Sequence, residues 1–245
     1  MRKILAYPLT CLYFLFFGIT LLVFHPLQWL CLNVFGYSVH KKCVDALQFC
    51  LMRCLNVLGS RHSFTNPYTI KTSQPVIIVS NHQSMADIPP LMWYFRKHHV
   101  KFVSKKELGK GIPSVSYNLR HGGSALIDRK NPRQAIVAIR KFAKYIETNN
   151  RAAVIFPEGT RSRDGRPKAF QTKGLETLIK YIPGAVIVPV TINNSWKNLR
   201  YGKFPMGIGN HLTFTAHKPV KSSDFDSTES LLTHIETTIK NSIKI

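Results

Sequence analysis

The chain has 245 residues, and its 34 lysines and arginines against 12 acidic residues give a formal net charge of +22. That length is enough to bury one good hydrophobic core, and the charge indicates an anionic partner: nucleic acid, an anionic membrane surface or a phosphorylated substrate. All five cysteines lie between Cys11 and Cys54. Their odd number and the lack of a C-x-x-C motif argue against a disulfide framework or a metal site, and the remaining chain has no cysteine to serve as a nucleophile.

The N-terminal segment is strongly apolar. Arg2 and Lys3 precede an uncharged run, Ile4–Phe24, which as a helix would span about 31 Å, close to the hydrocarbon thickness of a bilayer. The run is long for a signal peptide and no A-x-A cleavage site follows it, so a membrane helix or a helix lying in the interface is the better interpretation. The His25-Pro26 pair predicts a break, and the aromatic residues of Leu27–Val39 suit the headgroup region.

A second, amphipathic helix is predicted over Lys41–Leu58, with Gly59 as its stop. Its apolar face can meet the membrane or pack on the rest of the protein. Basic residues flank the apolar run on both sides, so the positive-inside rule does not separate a single span from a hairpin that enters and returns. We therefore expect residues 1–59 to form N-terminal membrane-anchoring helices and residues 60–245 to form a separate domain.

Beyond residue 60, short apolar runs alternate with helical patterns. The predicted strands are Val76–Val79, Lys101–Ser104, Ala125–Ile127, Ala152–Phe156, Val186–Ile192 and Leu212–Thr215. The predicted helices are Pro89–Lys97, Pro132–Thr148, Gly174–Tyr181 and Thr228–Lys240. This alternation predicts an α/β domain with a mixed sheet flanked by helices.

The helix Pro132–Thr148 has the clearest pattern. Asn131 is placed to cap it, and proline at the first helical position fits the fixed φ of that site. The residues expected to face the core are Ile136, Ile139, Phe142 and Ile146.

The first candidate for chemistry is the pair His82 and Asp87, which follows the apolar strand Val76–Val79. The strand ends at His82 and a helix is predicted to begin near Asp87, so the turn between them can bring the carboxylate onto the imidazole. Neutral imidazole accepts a proton near pH 7, and a carboxylate on its far nitrogen fixes the tautomer and stabilises the cation. The pair alone is weak evidence, because a chain with ten histidines often places one near an aspartate by chance. Ser84 is a rival nucleophile, although a role in starting the helix is simpler.

The second candidate is the segment Phe156–Ser162, which reads FPEGTRS directly after a predicted strand. Gly159 allows close approach of a ligand to the backbone, Thr160 supplies a hydroxyl, and Arg161 supplies a fork that fits a phosphate. Glu158 is unexpected in a phosphate-binding segment, because its carboxylate carries the same sign of charge as the phosphate. Its expected role is to orient an arginine or a substrate hydroxyl.

Two further cations, Lys105 and Arg129, each end a predicted strand. In open α/β sheets ligands gather at the carboxyl edge, so these cations are expected at the same edge as His82.

In combination these segments resemble the lysophosphatidate acyltransferase family, the glycerolipid acyltransferases with an HxxxxD box. The resemblance runs from about residue 70 to 215 and follows the family's order of blocks: NHQSMAD at 81–87, GGSALIDR at 122–129, FPEGTRS at 156–162 and the apolar VIVPV at 186–190. It implies the glycerolipid-acyltransferase-like fold with a membrane-associated N-terminal segment. It also implies transfer of an acyl group from acyl-CoA or acyl-carrier protein to the free hydroxyl of 1-acylglycerol 3-phosphate.

The resemblance also implies roles for the candidate residues. His82 would take the hydroxyl proton as general base, and Asp87 would hold His82. The acceptor and its phosphate would be bound by Glu158, Gly159, Thr160, Arg161, Arg129 and Lys105. The transfer is direct, and neither a metal nor a cofactor beyond the acyl carrier is expected. The expected partners are lysophosphatidate, the acyl carrier and membrane lipids, at the cytoplasmic face of the inner membrane if the protein is bacterial.

Two alternatives stay open at this point. One is the same transfer to another lyso-lipid, such as a lyso-ornithine lipid or a lysophospholipid with a larger head group. The other is a non-enzymatic basic module that binds membranes or nucleic acid. The aromatic residues cluster in the apolar N-terminus instead of interleaving with lysine and arginine on a sheet, which disfavours nucleic acid.

Overall fold

The computed structural model describes residues 2–245, and it begins with one long helical element, α1 (Arg2–Asn56). The helix is interrupted at Gly36, whose φ of 78° and ψ of −173° lie outside helical geometry. The predicted break at His25-Pro26 is wrong, because Pro26 lies inside the first helical segment. A proline removes one backbone donor without ending a long helix, whereas the positive φ at Gly36 is a conformation that glycine adopts at little cost.

The two segments of α1 fold back on each other about Gly36. Leu21 of the first segment packs in one cluster with Leu47 and Leu51 of the second. Nearer the open end, the Thr20 hydroxyl lies 3.6 Å from the Cys54 sulfur. Residues 2–35 and 37–56 therefore form a helical hairpin, and α1 is the one described helix that is long and apolar enough to cross a membrane.

A seven-stranded sheet forms the centre of the remaining chain, in the order β1-β7-β6-β2-β5-β3-β4. The strands are β1 (Arg61–Thr65), β2 (Val76–Ser80), β3 (Lys101–Lys105), β4 (Ala125–Ile127), β5 (Ala152–Ile155), β6 (Val186–Asn193) and β7 (His211–Ala216). All neighbouring pairs are parallel except β6 and β7. The predicted mixed sheet is confirmed, although β1 was not predicted, because its polar sequence RHSFT lies half-buried at the sheet edge.

Five further helices cover the sheet: α2 (Ile88–Tyr94), α3 (Val115–His121), α4 (Pro132–Thr148), α5 (Lys173–Tyr181) and α6 (Thr228–Asn241). The helix predicted over Pro89–Lys97 is shorter than expected, since α2 ends at Tyr94 and a 3-10 turn follows at Arg96–His98. The sequence also missed α3. On α4 the Asn131 cap is present, but Ile136 is 37% exposed and does not face the core as predicted.

The core has two layers, one on each face of the sheet. Residues of α4, α5 and α6 pack on one face, and residues of α2 with the second segment of α1 pack on the other. Strands β2 and β5 are buried along their whole length between the two layers. The carboxyl ends of β2, β3, β4 and β5 all lie at one edge of this rigid centre, because these strands run parallel.

Candidate active site

The loop after β2 is tied to the neighbouring strand β6 before it reaches His82. The Asn81 side-chain amide donates to the Ile192 carbonyl oxygen at 2.8 Å, and its oxygen accepts the Ile192 N–H at 2.7 Å. The chain then turns, and Ser84 caps a short 3-10 helix, Met85–Asp87, by accepting the Ala86 N–H at 3.0 Å. This helix-entry position is the one predicted for Ser84.

The structure brings the His82 and Asp87 side chains together. His82 Nδ1 lies 2.8 Å from Asp87 Oδ2. The same oxygen accepts the backbone N–H groups of Gln83, at 2.7 Å, and Ser84, at 2.9 Å. The Asp87 carboxylate is fully buried. Nδ1 donates its proton to the carboxylate, so Nε2 is left with the lone pair that a general base requires.

Ser195 is a site residue that sequence reasoning missed. Its hydroxyl donates to Asp87 Oδ1, and its oxygen lies 2.5 Å from the Ser84 hydroxyl oxygen. The Gln83 side-chain oxygen accepts the Ser195 N–H at 3.0 Å, which fixes the serine from its backbone. The signal available in the sequence was position alone, because Ser195 follows β6 closely at the edge that carries His82.

Glu158 joins the two candidate loops. One of its oxygens accepts the His82 N–H at 2.9 Å, and the other accepts the Lys168 N–H at 3.1 Å. Burial raises the pKa of this carboxyl, and the two backbone donors oppose that rise. In return the Ser162 N–H donates to the His82 carbonyl oxygen at 2.7 Å. The FPEGTRS segment and the His82 loop are therefore connected through the backbone, and both Glu158 oxygens are already engaged.

The imidazole also rests on an aromatic ring from the same segment. The ring of Phe156 stacks on that of His82, with centroids 4.1 Å apart and planes 15° from parallel. This contact orients the imidazole from one face while Asp87 fixes it along its edge.

The predicted cations are arranged around the glycine of the segment. Arg129 donates from Nη1 to the Gly159 carbonyl oxygen. Burial lowers the pKa of Arg129, and the nearby Arg161 guanidinium adds to that effect. The Lys168 ammonium donates to the Thr160 hydroxyl at 2.8 Å and to the Arg161 carbonyl oxygen at 3.0 Å. Arg129 thus lies against Gly159 of the segment, while the Thr160 hydroxyl is occupied by Lys168.

Lys105 is placed at the end of β3, at the same edge as the other candidates, and its side chain is exposed. Within residues 2–245, no hydrogen bond or ion pair joins Lys105 to the other predicted site residues. Lys105 therefore lies at the predicted edge but does not contact them.

A mostly parallel α/β sheet thus carries at one edge an imidazole held by a buried carboxylate, and Glu158 ties the loop of that imidazole to the segment that bears Arg161. The model of the family described as Acyltransferase matches residues 61–193, which is more than half of the chain, and the protein belongs to this acyltransferase family.

Curated relatives carry a more specific name. The chain is 30% identical over 171 residues to a 1-acyl-sn-glycerol-3-phosphate acyltransferase of Cocos nucifera, a match that covers 66% of this chain and 52% of that protein. A Helicobacter pylori protein of the same name is 43% identical over 89 residues, covering 36% of each chain. The chain spans about half the length of the plant relatives it matches.

A solved structure shares the fold. The crystal structure of the 1-acyl-sn-glycerophosphate acyltransferase PlsC from Thermotoga maritima superimposes with a TM-score of 0.81. The match covers 98% of this chain and 95% of that one at 24% sequence identity. The predicted glycerolipid-acyltransferase-like fold is confirmed.

Proposed function

We propose that the protein transfers an acyl group from acyl-CoA or acyl-carrier protein to the free hydroxyl of 1-acylglycerol 3-phosphate, giving phosphatidate. The observation that carries the proposal is the 2.8 Å contact between His82 Nδ1 and Asp87, at the edge where Arg129 donates to the Gly159 carbonyl oxygen of the FPEGTRS segment. The names of the curated relatives support the same reaction.

The chemistry follows from the tautomer that Asp87 imposes. Nε2 of His82 takes the proton of the acceptor hydroxyl while its oxygen attacks the carbonyl carbon of the thioester. Asp87 stabilises the imidazolium that results, and the backbone N–H groups of Gln83 and Ser84 hold its carboxylate in place. The carbon–sulfur bond then breaks, the acyl group stays on the acceptor oxygen, and the thiolate leaves with the proton from His82. No covalent intermediate on the protein is needed.

The phosphate of the acceptor would lie against the guanidinium groups of Arg129 and Arg161. Guanidinium forks bind a phosphate through paired, charge-assisted hydrogen bonds. Gly159 lets the ligand approach the backbone between them, and Lys105 adds positive charge at the same edge. Glu158 contributes by holding the loop that carries Arg161 against the loop that carries His82.

The hairpin of α1 would hold the protein at a membrane, where its lipid acceptor resides. Large apolar side chains of the first segment are exposed, among them Leu22 at 63% and Phe35 at 62%. Such a surface is unfavourable in water and favourable against acyl chains. The expected location is the membrane surface facing the cytoplasm.

Purified protein given a panel of lyso-lipids with both donor types, with product identified by mass, tests this proposal. The expected result is efficient acylation of 1-acylglycerol 3-phosphate and loss of that product in His82→Ala. A matched control is Lys144→Met, which changes an exposed residue of α4 away from the site. Preferred acylation of lyso-lipids with larger head groups, or of lyso-ornithine lipid, would overturn the acceptor assignment while retaining the reaction type.

A further inference from the structure

A second cluster of cations lies at the opposite edge of the sheet from the candidate active site. Lys101 is the first residue of β3, and Arg151 directly precedes β5. Both therefore stand at the amino ends of parallel strands, whereas the candidate active site lies at the carboxyl ends. Lys101 and Lys105 are at opposite ends of the same strand, about 13 Å apart at the usual strand rise.

The second segment of α1 completes this cluster beside the hinge. The ring of Tyr37, the residue after Gly36, lies between the two cations. The Arg151 guanidinium is 4.1 Å from its centroid and the Lys101 ammonium is 5.1 Å from it. The Tyr37 hydroxyl also forms a 2.9 Å hydrogen bond with His99 Nδ1.

The positive charge of the cluster is not balanced within the described residues. The carboxylate beside these cations belongs to Asp45, and it forms an ion pair with Lys41, whose Nζ lies 2.5 Å from Asp45 Oδ2. Within residues 2–245 neither Lys101 nor Arg151 has a carboxylate at ion-pair distance, although Lys101 is only 7% exposed. A buried cation without an anion beside it is unfavourable, so an anion bound at this position would stabilise the cluster. Burial and then repulsion from Arg151 and Lys41 lower the pKa of Lys101 to about 7.

Two buried polar atoms beside these cations lack a partner in the part of the chain the structure describes. They are Nε2 of His40, on a side chain that is 1% exposed, and Nη1 of Arg151. Buried donors are almost always satisfied, so atoms of this kind indicate a group that binds there. His40 and Lys101 also line one small cavity between α1 and β3, together with Lys41, Asp45, His99 and Asn118.

The size of that cavity limits how an anion can enter it. Its volume is about 10 Å³, close to the space that one water-sized atom needs. A phosphate group would therefore insert one oxygen beside Lys101 and keep the others at the mouth of the cavity.

We propose that this cluster binds the phosphate of an anionic membrane lipid, with Lys101, Arg151 and His40 as the recognising groups. A lipid is favoured over a free anion because the cluster adjoins exposed apolar residues at the hinge, Val34 at 60% and Phe35 at 62%. The acyl chains of a lipid packed against these two side chains would lie close to the mouth of the cavity. The inference does not depend on the reaction at the other edge.

The test uses the full chain in maltoside micelles, which carry neither phosphate nor charge. Phosphatidylglycerol, phosphatidylcholine or millimolar inorganic phosphate is added, and the thermal midpoint is measured. Three variants are compared with the parent: Lys101→Met, Arg151→Gln and the exposed-charge control Lys144→Met. Carbon-13 methylation of the lysines lets NMR follow the titration of Lys101 in the same samples.

The expected result is a rise in midpoint with phosphatidylglycerol beyond that with phosphatidylcholine, retained in Lys144→Met and at least halved in the other two variants. The Lys101 titration should also move to higher pH with phosphatidylglycerol. An equal rise in all variants, or no difference between the two lipids, would overturn the proposal. An equal rise with inorganic phosphate would overturn the lipid as the occupant and assign the cavity to a free anion.

Discussion

The hydroxyl of Ser195 donates to Oδ1 of Asp87, while His82 and two backbone N–H groups contact Oδ2. Both oxygens of a fully buried carboxylate are thus engaged, one by the candidate base and two backbone N–H groups, and the other by a residue that follows the neighbouring strand β6. A buried carboxylate held through both oxygens has little freedom to turn, which is what a group that orients an imidazole requires.

We predict that Ser195→Ala lowers kcat by about tenfold to a hundredfold, the effect of losing a hydrogen bond to a charged group of about 1.5–3 kcal/mol. KM for the acceptor should change little, because Ser195 acts through Asp87 and not on the substrate. Ser195→Thr retains the hydroxyl and should restore much of the rate. Steady-state kinetics of both variants measures this, and a change in KM alone would contradict a positioning role.

His82→Ala should lower the transfer rate at neutral pH by about 10²–10⁴-fold, the usual contribution of a general base. Asp87→Asn should also be severely impaired, since an amide can present only one acceptor oxygen where the carboxylate uses two. Product mass after fixed times gives the rates. Full activity of His82→Ala would refute the proposed mechanism.

Arg161→Ala should raise KM for 1-acylglycerol 3-phosphate by about tenfold or more, because a charge-assisted phosphate contact is worth about 1.5–3 kcal/mol. The effect on a zwitterionic lysophospholipid should be much smaller. Arg133→Ala removes an exposed arginine from α4 and serves as the matched control. Equal losses on both acceptors would show that Arg161 supports the loop instead of reading the phosphate.

Lys101 should contribute a rise in stability with pH between about 7 and 10.5 in the absence of anionic lipid. The folded-state pKa of Lys101 is about 7 against an ordinary 10.5, so in this window the unfolded chain binds a proton that the folded chain does not. The titratable and charged groups that face Lys101 are Tyr37, His40, Lys41, Asp45, His99 and Arg151, and burial lowers the pKa of His99 to about 4, below the window. Denaturant unfolding across this range should show the rise, and Lys101→Met should flatten it.

The sequence predicted the architecture where the hydrophobic pattern was strong. Strand β2 and helix α4 match their predicted bounds closely, because a fully buried apolar run and a capped helix each leave a clear signal. The edge strand β1 left none, since RHSFT is half-buried and polar. The hinge was misplaced for a related reason: proline is a strong local signal, whereas the backbone at Gly36 is set by the packing of the two helical segments on each other.

The candidate site was predictable in part. The spacing of His82 and Asp87 around a strand-to-helix turn predicted their contact, and the structure places them together. The sequence could not indicate that Glu158 bonds to backbone or that Ser195 reaches Asp87, because these contacts join residues 76 and 108 positions apart. The catalytic and binding roles themselves stay predictions, as does the division into residues 1–59 and 60–245.

Through its carboxylate, Glu158 joins the loop of the proposed base to the segment that carries Arg161, and the Ser162 N–H bond to the His82 carbonyl oxygen adds a second link. In the proposed reaction, this link sets the distance between the backbone that carries the base and the backbone that carries the phosphate-binding arginine. An acceptor must carry its hydroxyl and its phosphate at that same separation, so positional isomers of one lyso-lipid would be sorted by geometry alone.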